Sequence, residues 1–276
     1  MQSHSVLGLA AIVVAVVVAP INVASAPPSR VSPTAMLRSE SALSLGAPNA
    51  GRLVRGDRLD GSEHIRVVPA WSHQDFRWGL PELIGMLRGA ASAVNDKHGP
   101  CIMSVGDLSS RSGGTLRKHK SHQSGRDADI SFYMTDGRGK PMYHSTFVEF
   151  DADGRAPKLP EARFDDTRNW ALVEALLRDR NARVQNIFVS NALRKRLLEE
   201  AERQGAGRSI RLEAARVMSL PNGAAPHDDH FHVRIGCPTS QGNACELWPR
   251  APSSAADSDS TKAEPTTRGK RRRGGS

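Results

Sequence analysis

The chain has little cysteine, few aromatic side chains and, over its first 26 residues, no Lys, Arg, Asp or Glu. Three cysteines in 276 residues, Cys101, Cys237 and Cys245, are too few for a disulfide scaffold, and no CxxC pair offers a thiolate metal site. Zinc, if used, must be held by His and Asp. With 5% aromatic residues and no interleaving of basic and aromatic positions, the sequence lacks the stacking platform of a single-strand nucleic-acid binder. HExxH is also absent, so no helix supplies a histidine pair with a glutamate base.

The charge-free opening contains an apolar run, Val6 to Ala19, then Pro20 and an Ala24-Ser25-Ala26 site, the pattern of a signal h-region with small residues at the cleavage point. It predicts a signal peptide over 1–26 and a mature chain starting near Pro27, periplasmic or secreted. The alternative is an uncleaved anchor, although Pro20 and Asn22 interrupt the run before it comfortably spans a bilayer; after cleavage no stable membrane insertion is expected. Residues 27–50, rich in Pro, Ser and Ala, read as a linker, and 251–276 as a disordered basic tail. Residues 51–250 then form one domain of ordinary single-core size. The net charge is +9, and about +6 remains without the tail, a field favouring polyanions, for which nucleic acid, acidic lipid surfaces and anionic cell wall all qualify.

Three helices are legible. "LPELIGMLRGAASAV" puts Leu83, Ile84, Leu87, Ala91 and Val94 on one face with Pro81 in the first turn. "DDTRNWALVEALLRD" repeats the pattern with Asp166 as N-cap, and "NALRKRLLEEAERQG" runs from Asn191 to Gly205. Strands are expected in "CIMSVGD", "ADISFY", "TFVEF", "VQNIFVS" and "HFHVRI". Without a regular βαβ rhythm, this predicts an α+β fold, a small antiparallel β-sheet core with flanking helices. "DADG" at 151–154 has its glycine too early for a calcium loop and reads as a turn. Cys237 and Cys245 can close "CPTSQGNAC" in an oxidising compartment, leaving Cys101 unpaired; the alternative is three reduced core cysteines.

Five of the ten histidines fall in "HKSHQSGRDADISF" and "PHDDHFHVRI". As a strand, "HFHVRI" sends His230, His232 and Arg234 to one face and Phe231, Val233 and Ile235 to the other. "ADISFY" likewise separates Asp129 and Ser131 from Ile130 and Phe132, leaving a carboxylate that is costly unless paired or bound to metal. His122 lies on a loop that Ser124 and Gly125 make flexible enough to fold back over Asp129. One loop histidine, one strand aspartate and one histidine of HFH then make a His, Asp, His set with a fourth position for water, a mix that suits Zn²⁺. A solvated histidine is the ordinary reading for any one of these residues; the pairing of HxH with a distant H-x₆-D raises the set above it.

"SHQSGRDAD" and "PHDDHFHVRIGCP" resemble the two signatures of the penicillin-insensitive murein endopeptidases, among the lysostaphin-type and D-Ala-D-Ala zinc metallopeptidases. The resemblance extends loosely over "VGDLSSRSGG", "SFYM" and "RNWALVEALL", about residues 50 to 247. It implies a peptidoglycan substrate and zinc-dependent cleavage of D-alanyl to meso-diaminopimelate crosslinks. On the matching positions, His122, Asp129 and His232 would be zinc ligands, His119 an auxiliary one, and His230 and His227 the non-ligand histidines acting on water and substrate. It also carries the Cys237–Cys245 pairing. The family has more cysteines than this chain, and the tail after Pro249 is outside its pattern. With no glutamate base, His230 is the candidate general base and His227 the group that stabilises the oxyanion or protonates the leaving amine. The alternatives are a carboxypeptidase trimming D-Ala from stems and a non-catalytic cationic wall-binding protein; a cationic nucleic-acid binder ranks last, so no nucleic-acid partner is expected.

Overall fold

The computed structural model describes residues 41–247; the expected signal peptide and basic tail lie outside them. At its centre is a six-stranded sheet built from β1 (Ile65–Val67), β2 (Met103–Val105), β3 (Asp127–Ser131), β4 (Val184–Phe188), β5 (Met218–Ser219) and β6 (His230–Ile235). The spatial order is β5-β4-β6-β3-β2-β1. The sheet is mixed, which corrects the expectation of a small antiparallel one. The outer pairs, β1 with β2 and β4 with β5, run parallel, while the central β2-β3-β6-β4 pairings are antiparallel. Parallel neighbours need a crossover, and the intervening helices supply it.

Helix α1 (Pro81–His98) connects β1 to β2, and α2 (Asp166–Arg178) precedes β4. Helices α3 (Asn191–Arg203) and α4 (Arg208–Val217) connect β4 to β5. α1 has Pro81 in its first turn, Lys97 and His98 in its last, and Gly99 at φ 76 beyond its end, a left-handed stop that favours glycine. Asp165, not Asp166, caps α2, its carboxylate accepting the Arg168 amide at 3.0 Å. The short α4 was not expected from sequence.

Leu83, Ile84, Leu87, Ala91 and Val94 are all buried, as the helical period requires. They share one core with Trp170 and Leu172 of α2, Leu193 and Leu197 of α3, and the sheet residues Ala128, Ile130, Phe231, Val233 and Ile235. Truncating any such leucine to alanine costs about 2–5 kcal/mol. With the apolar residues of β3 and β6 committed to this core, the alternation directs the others to the opposite face. Across it, His230 pairs with Ser131, His232 with Asp129 and Arg234 with Asp127.

Two further expectations change. "TFVEF" is not a strand: residues 146–150 are a connecting segment, fastened where the Phe150 amide donates to the Asp228 carbonyl at 2.8 Å. The segment read as linker up to residue 50 enters the fold, since Leu43–Ala47 and Ala50–Val54 form a hairpin. Composition alone misses this because the hairpin is held from outside. Gln241 Oε1 accepts the Ser44 amide at 2.8 Å, its Nε2 donates to the Ala42 carbonyl at 3.1 Å, and Ser44 is fully buried. "DADG" is the expected turn, with Gly154 N–H donating to Asp151 O at 3.0 Å and the Asp151 carboxylate accepting two further amides. Among the described residues no helix is long and apolar enough to cross a membrane.

Candidate metal centre

Asp129, at the middle of β3, is 2% exposed, and its Oδ1 is buried without a hydrogen-bond partner. Three imidazole nitrogens surround that oxygen: His232 Nδ1 at 3.1 Å, His122 Nε2 at 3.2 Å and His230 Nε2 at 3.5 Å. His122 Nε2 and His232 Nδ1 are themselves 3.2 Å apart. His119 approaches the second oxygen, its Nδ1 lying 3.7 Å from Asp129 Oδ2.

The loop that delivers His122 is pinned rather than flexible. Every residue from Ser121 to Arg126 is buried, and His122 takes a left-handed φ of 66°. Gly125 lies at φ 74°, and a Cβ there would sit 2.5 Å from a Leu53 methyl, so both conformation and space demand glycine. Gly125 O accepts from Leu80 N at 2.8 Å, and Gln123 N donates to Pro48 O at 3.0 Å. Beneath the loop, the fully buried Arg126 guanidinium donates to Glu246 O at 2.6 Å and Gly46 O at 3.3 Å. Burial lowers its pKa to about 10. Cys237 and Cys245 are disulfide-bonded beside this contact, and Cys101 is free and buried.

Each of the five histidines has one ring nitrogen committed to an oxygen. His122 Nδ1 donates to Leu108 O at 2.8 Å, His232 Nε2 to Asp127 Oδ1 at 2.8 Å, and His119 Nε2 to Asp107 Oδ2 at 2.9 Å. His230 Nδ1 meets Asp229 Oδ1 at 2.5 Å and His227 Nδ1 donates to Ala225 O at 2.7 Å. These bonds fix the tautomers, so in the neutral state the nitrogens of His119, His122, His230 and His232 that face Asp129 carry lone pairs.

Electrostatics follow from the crowding. Burial pushes the Asp127 carboxyl up, but the adjoining Arg234 guanidinium and His232 bring it well below the ordinary carboxylate range. Asp129 is likewise held well below it against burial by His122 and His230. Burial opposes charge on His230, yet Asp129 and Asp229 raise it to about 10. His232 is raised, against burial, by Asp127 and Asp129, whereas burial lowers His227.

This donor set fits a cation. The spacing of 3.1–3.2 Å among His122 Nε2, Asp129 Oδ1 and His232 Nδ1 is close to the roughly 3.3 Å between ligand atoms of a tetrahedral zinc ion. His119, His122 and Asp129 also form a group able to hold a metal, with one donor atom from each within 4.8 Å of the others. His122, Asp129, His232, His230 and His119 are thus brought together. His227 stands at the rim, its ring 5.3 Å from that of His230 and 5.9 Å from that of His232. Sequence reasoning missed Asp107, Asp127 and Asp229, which orient the rings, and Phe147 and Phe188, which stack on His230 and His232 at 4.6 and 5.1 Å. Asp127 has the strand parity of Asp129, and that signal could have found it.

A buried His, His, Asp group on a sheet face, with its outward nitrogens already bonded, is a donor set of the class able to hold a metal ion. The chain belongs to the penicillin-insensitive murein endopeptidase family, whose sequence profile matches residues 45–266. A curated relative, the penicillin-insensitive murein endopeptidase of Haemophilus influenzae, is 29% identical over 187 residues. That alignment covers 65% of this chain and 58% of the relative, so the chain matches less than two thirds of the relative's length.

Proposed function

We propose that the protein is a zinc-dependent peptidoglycan hydrolase, exported to the periplasm or beyond, that cleaves D-alanyl-meso-diaminopimelyl crosslinks between stem peptides. The observation that carries this reading is the triangle of His122 Nε2, Asp129 Oδ1 and His232 Nδ1 at 3.1–3.2 Å, combined with family membership. These three would hold the ion, and His119, bonded to Asp107, is an auxiliary donor on the other oxygen of Asp129. Zinc bound there supplies a Lewis acid for the scissile carbonyl and lowers the pKa of a water to about 7.

The remaining chemistry belongs to the side chains. His230 Nε2 faces the centre and takes the proton of the attacking water, while Asp229 holds Nδ1 and stabilises the imidazolium that forms. His227, at the rim, stabilises the developing oxyanion or protonates the leaving amine. One observation favours the exchanged assignment: His230 is driven toward the charged form and His227 toward the neutral one, the separation expected of an acid and a base. Engagement of Asp129 by a cation would remove its part of the push on His230 and favour the neutral form that a base needs, leaving the share that Asp229 contributes.

Metal analysis of the purified chain, with chromatography of products from crosslinked and monomeric muropeptides, tests the proposal. Conversion of crosslinked dimers to monomers by protein carrying about one zinc per chain is expected. Release of D-Ala from monomers alone would make it a carboxypeptidase, and wall binding without product would make it a cationic adhesin. The pH–rate profiles of His230→Ala and His227→Ala assign the base, because the variant lacking it loses the acidic limb.

A further inference from the structure

Phe147 lies in the segment expected to be a strand, and the sequence gives it no role. Its ring stacks on His230 with centroids 4.6 Å apart and planes 18° apart. Trp71 approaches the same ring at 4.5 Å and 30°. The far edge of Phe147 rests on Gly106, where an added Cβ would fall 2.5 Å from Cζ. Gly106 is no bystander, since its amide donates to the Asp129 carbonyl at 2.8 Å.

The segment carrying Phe147 is fastened on both sides. Ala70 N–H donates to Ser145 O at 3.0 Å, tying it to the 3₁₀ turn of Trp71, and Phe150 N–H donates to Asp228 O at 2.8 Å, tying it to the lead-in of His230. Phe147 is half-buried and no apolar core claims it.

We infer that Phe147 is a positioning residue for His230, holding the imidazole plane so that Nε2 points at the metal centre, and that Gly106 is glycine to admit it. The inference rests on the reading that His230 acts on water or substrate. Asp229 holds the ring at one atom, Nδ1, and a single hydrogen bond still tolerates rotation of the ring about Cβ–Cγ. A flat ring against the face removes that rotation, and Trp71 stops Phe147 from swinging away. Space-filling alone would not need parallel planes.

The test uses the zinc-loaded full chain and four variants: Phe147→Ala, Phe147→Leu, Phe147→Tyr and Gly106→Ala. Two readouts are taken, kcat and KM on a crosslinked muropeptide, and the rate at which diethyl pyrocarbonate modifies His230, followed by peptide mass spectrometry. Phe147→Ala should keep about one zinc per chain and its KM, lose about 10- to 100-fold in kcat, and expose His230 to several-fold faster modification. Phe147→Tyr, which keeps the ring, should return both readouts to within about three-fold of the parent, and Phe147→Leu, which keeps bulk without a flat face, should not. Gly106→Ala pushes the Phe147 ring aside and should reproduce the Phe147→Ala losses, adding little when the two are combined.

Unchanged His230 reactivity and kcat in Phe147→Ala would overturn the inference, as would full rescue by leucine. If the parent fails to cleave muropeptides, the hydrolase reading falls, and His230 reactivity across the same variants still decides whether Phe147 positions it.

Discussion

Asp127 and Asp129, two residues apart on one strand, face the same imidazole at its opposite nitrogens. His232 donates Nε2 to Asp127 at 2.8 Å and directs Nδ1 at Asp129 Oδ1 at 3.1 Å. One aspartate sets the tautomer and the other stands beside the lone pair that results.

Asp127→Asn should therefore weaken metal binding without touching the metal. The amide cannot hold Nε2–H as a carboxylate does, and loss of such an outer partner typically costs 10- to 100-fold in affinity. Competition against a graded series of chelators measures it. An affinity equal to the parent's would mean that strand geometry alone orients His232.

Neighbouring histidines should fail differently. His232→Ala is expected to lose both metal and activity. His230→Ala should keep about one metal per chain while losing on the order of 10²-fold or more in rate. Metal content of the two purified variants decides the matter, and the reverse pattern would reverse the roles.

Acid should unfold the metal-free protein through its paired carboxylates. Asp127 and Asp129 both titrate lower in the folded chain than the roughly 3.9 of an unfolded aspartate. The unfolded state thus binds protons more tightly at low pH. Their stabilisation is fully present above about pH 5, starts to be lost as pH falls below about 4 and goes on being lost down through the depressed folded-state pKa values, at about 1.4 kcal/mol for each unit of depression. Urea midpoints at pH 6 and pH 3.5 should differ, and Asp127→Asn should flatten the difference. Equal midpoints in the parent would contradict it.

Thiol titration of the denatured, unreduced chain should find one reactive group, Cys101, because Cys237 and Cys245 are joined. Three would contradict the bridge. Closing so short a loop is worth about 2.5 kcal/mol on the chain-entropy account, so Cys245→Ser should lower stability by that order in denaturant titration.

The period-two pattern of "HFHVRI" and the parity of Asp129 placed the polar face of β3 and β6 correctly, because a half-buried strand pair writes its alternation into the sequence. The mixed sheet was harder. β1 and β5 are three and two residues long, too short to show a period, and each is a strand only because a partner lies beside it. Ser44 reads as linker since Gln241, which accepts its amide, arrives from 197 positions away. The oxygens behind His122 and His119 were hidden for a similar reason. Leu108 O is backbone and invisible in composition, while Asp107 becomes a partner only when the 116–126 loop has turned back.

Arg126 lies between the loop histidine and the strand aspartate, yet it is fastened to the carbonyls of Gly46 and Glu246. His232 follows His122 by 110 positions, so no fragment ending short of the last strand can gather the three donor atoms. Closing such long intervals comes late in folding. A chain still being synthesised therefore has no assembled site until its last strand has been made and has paired.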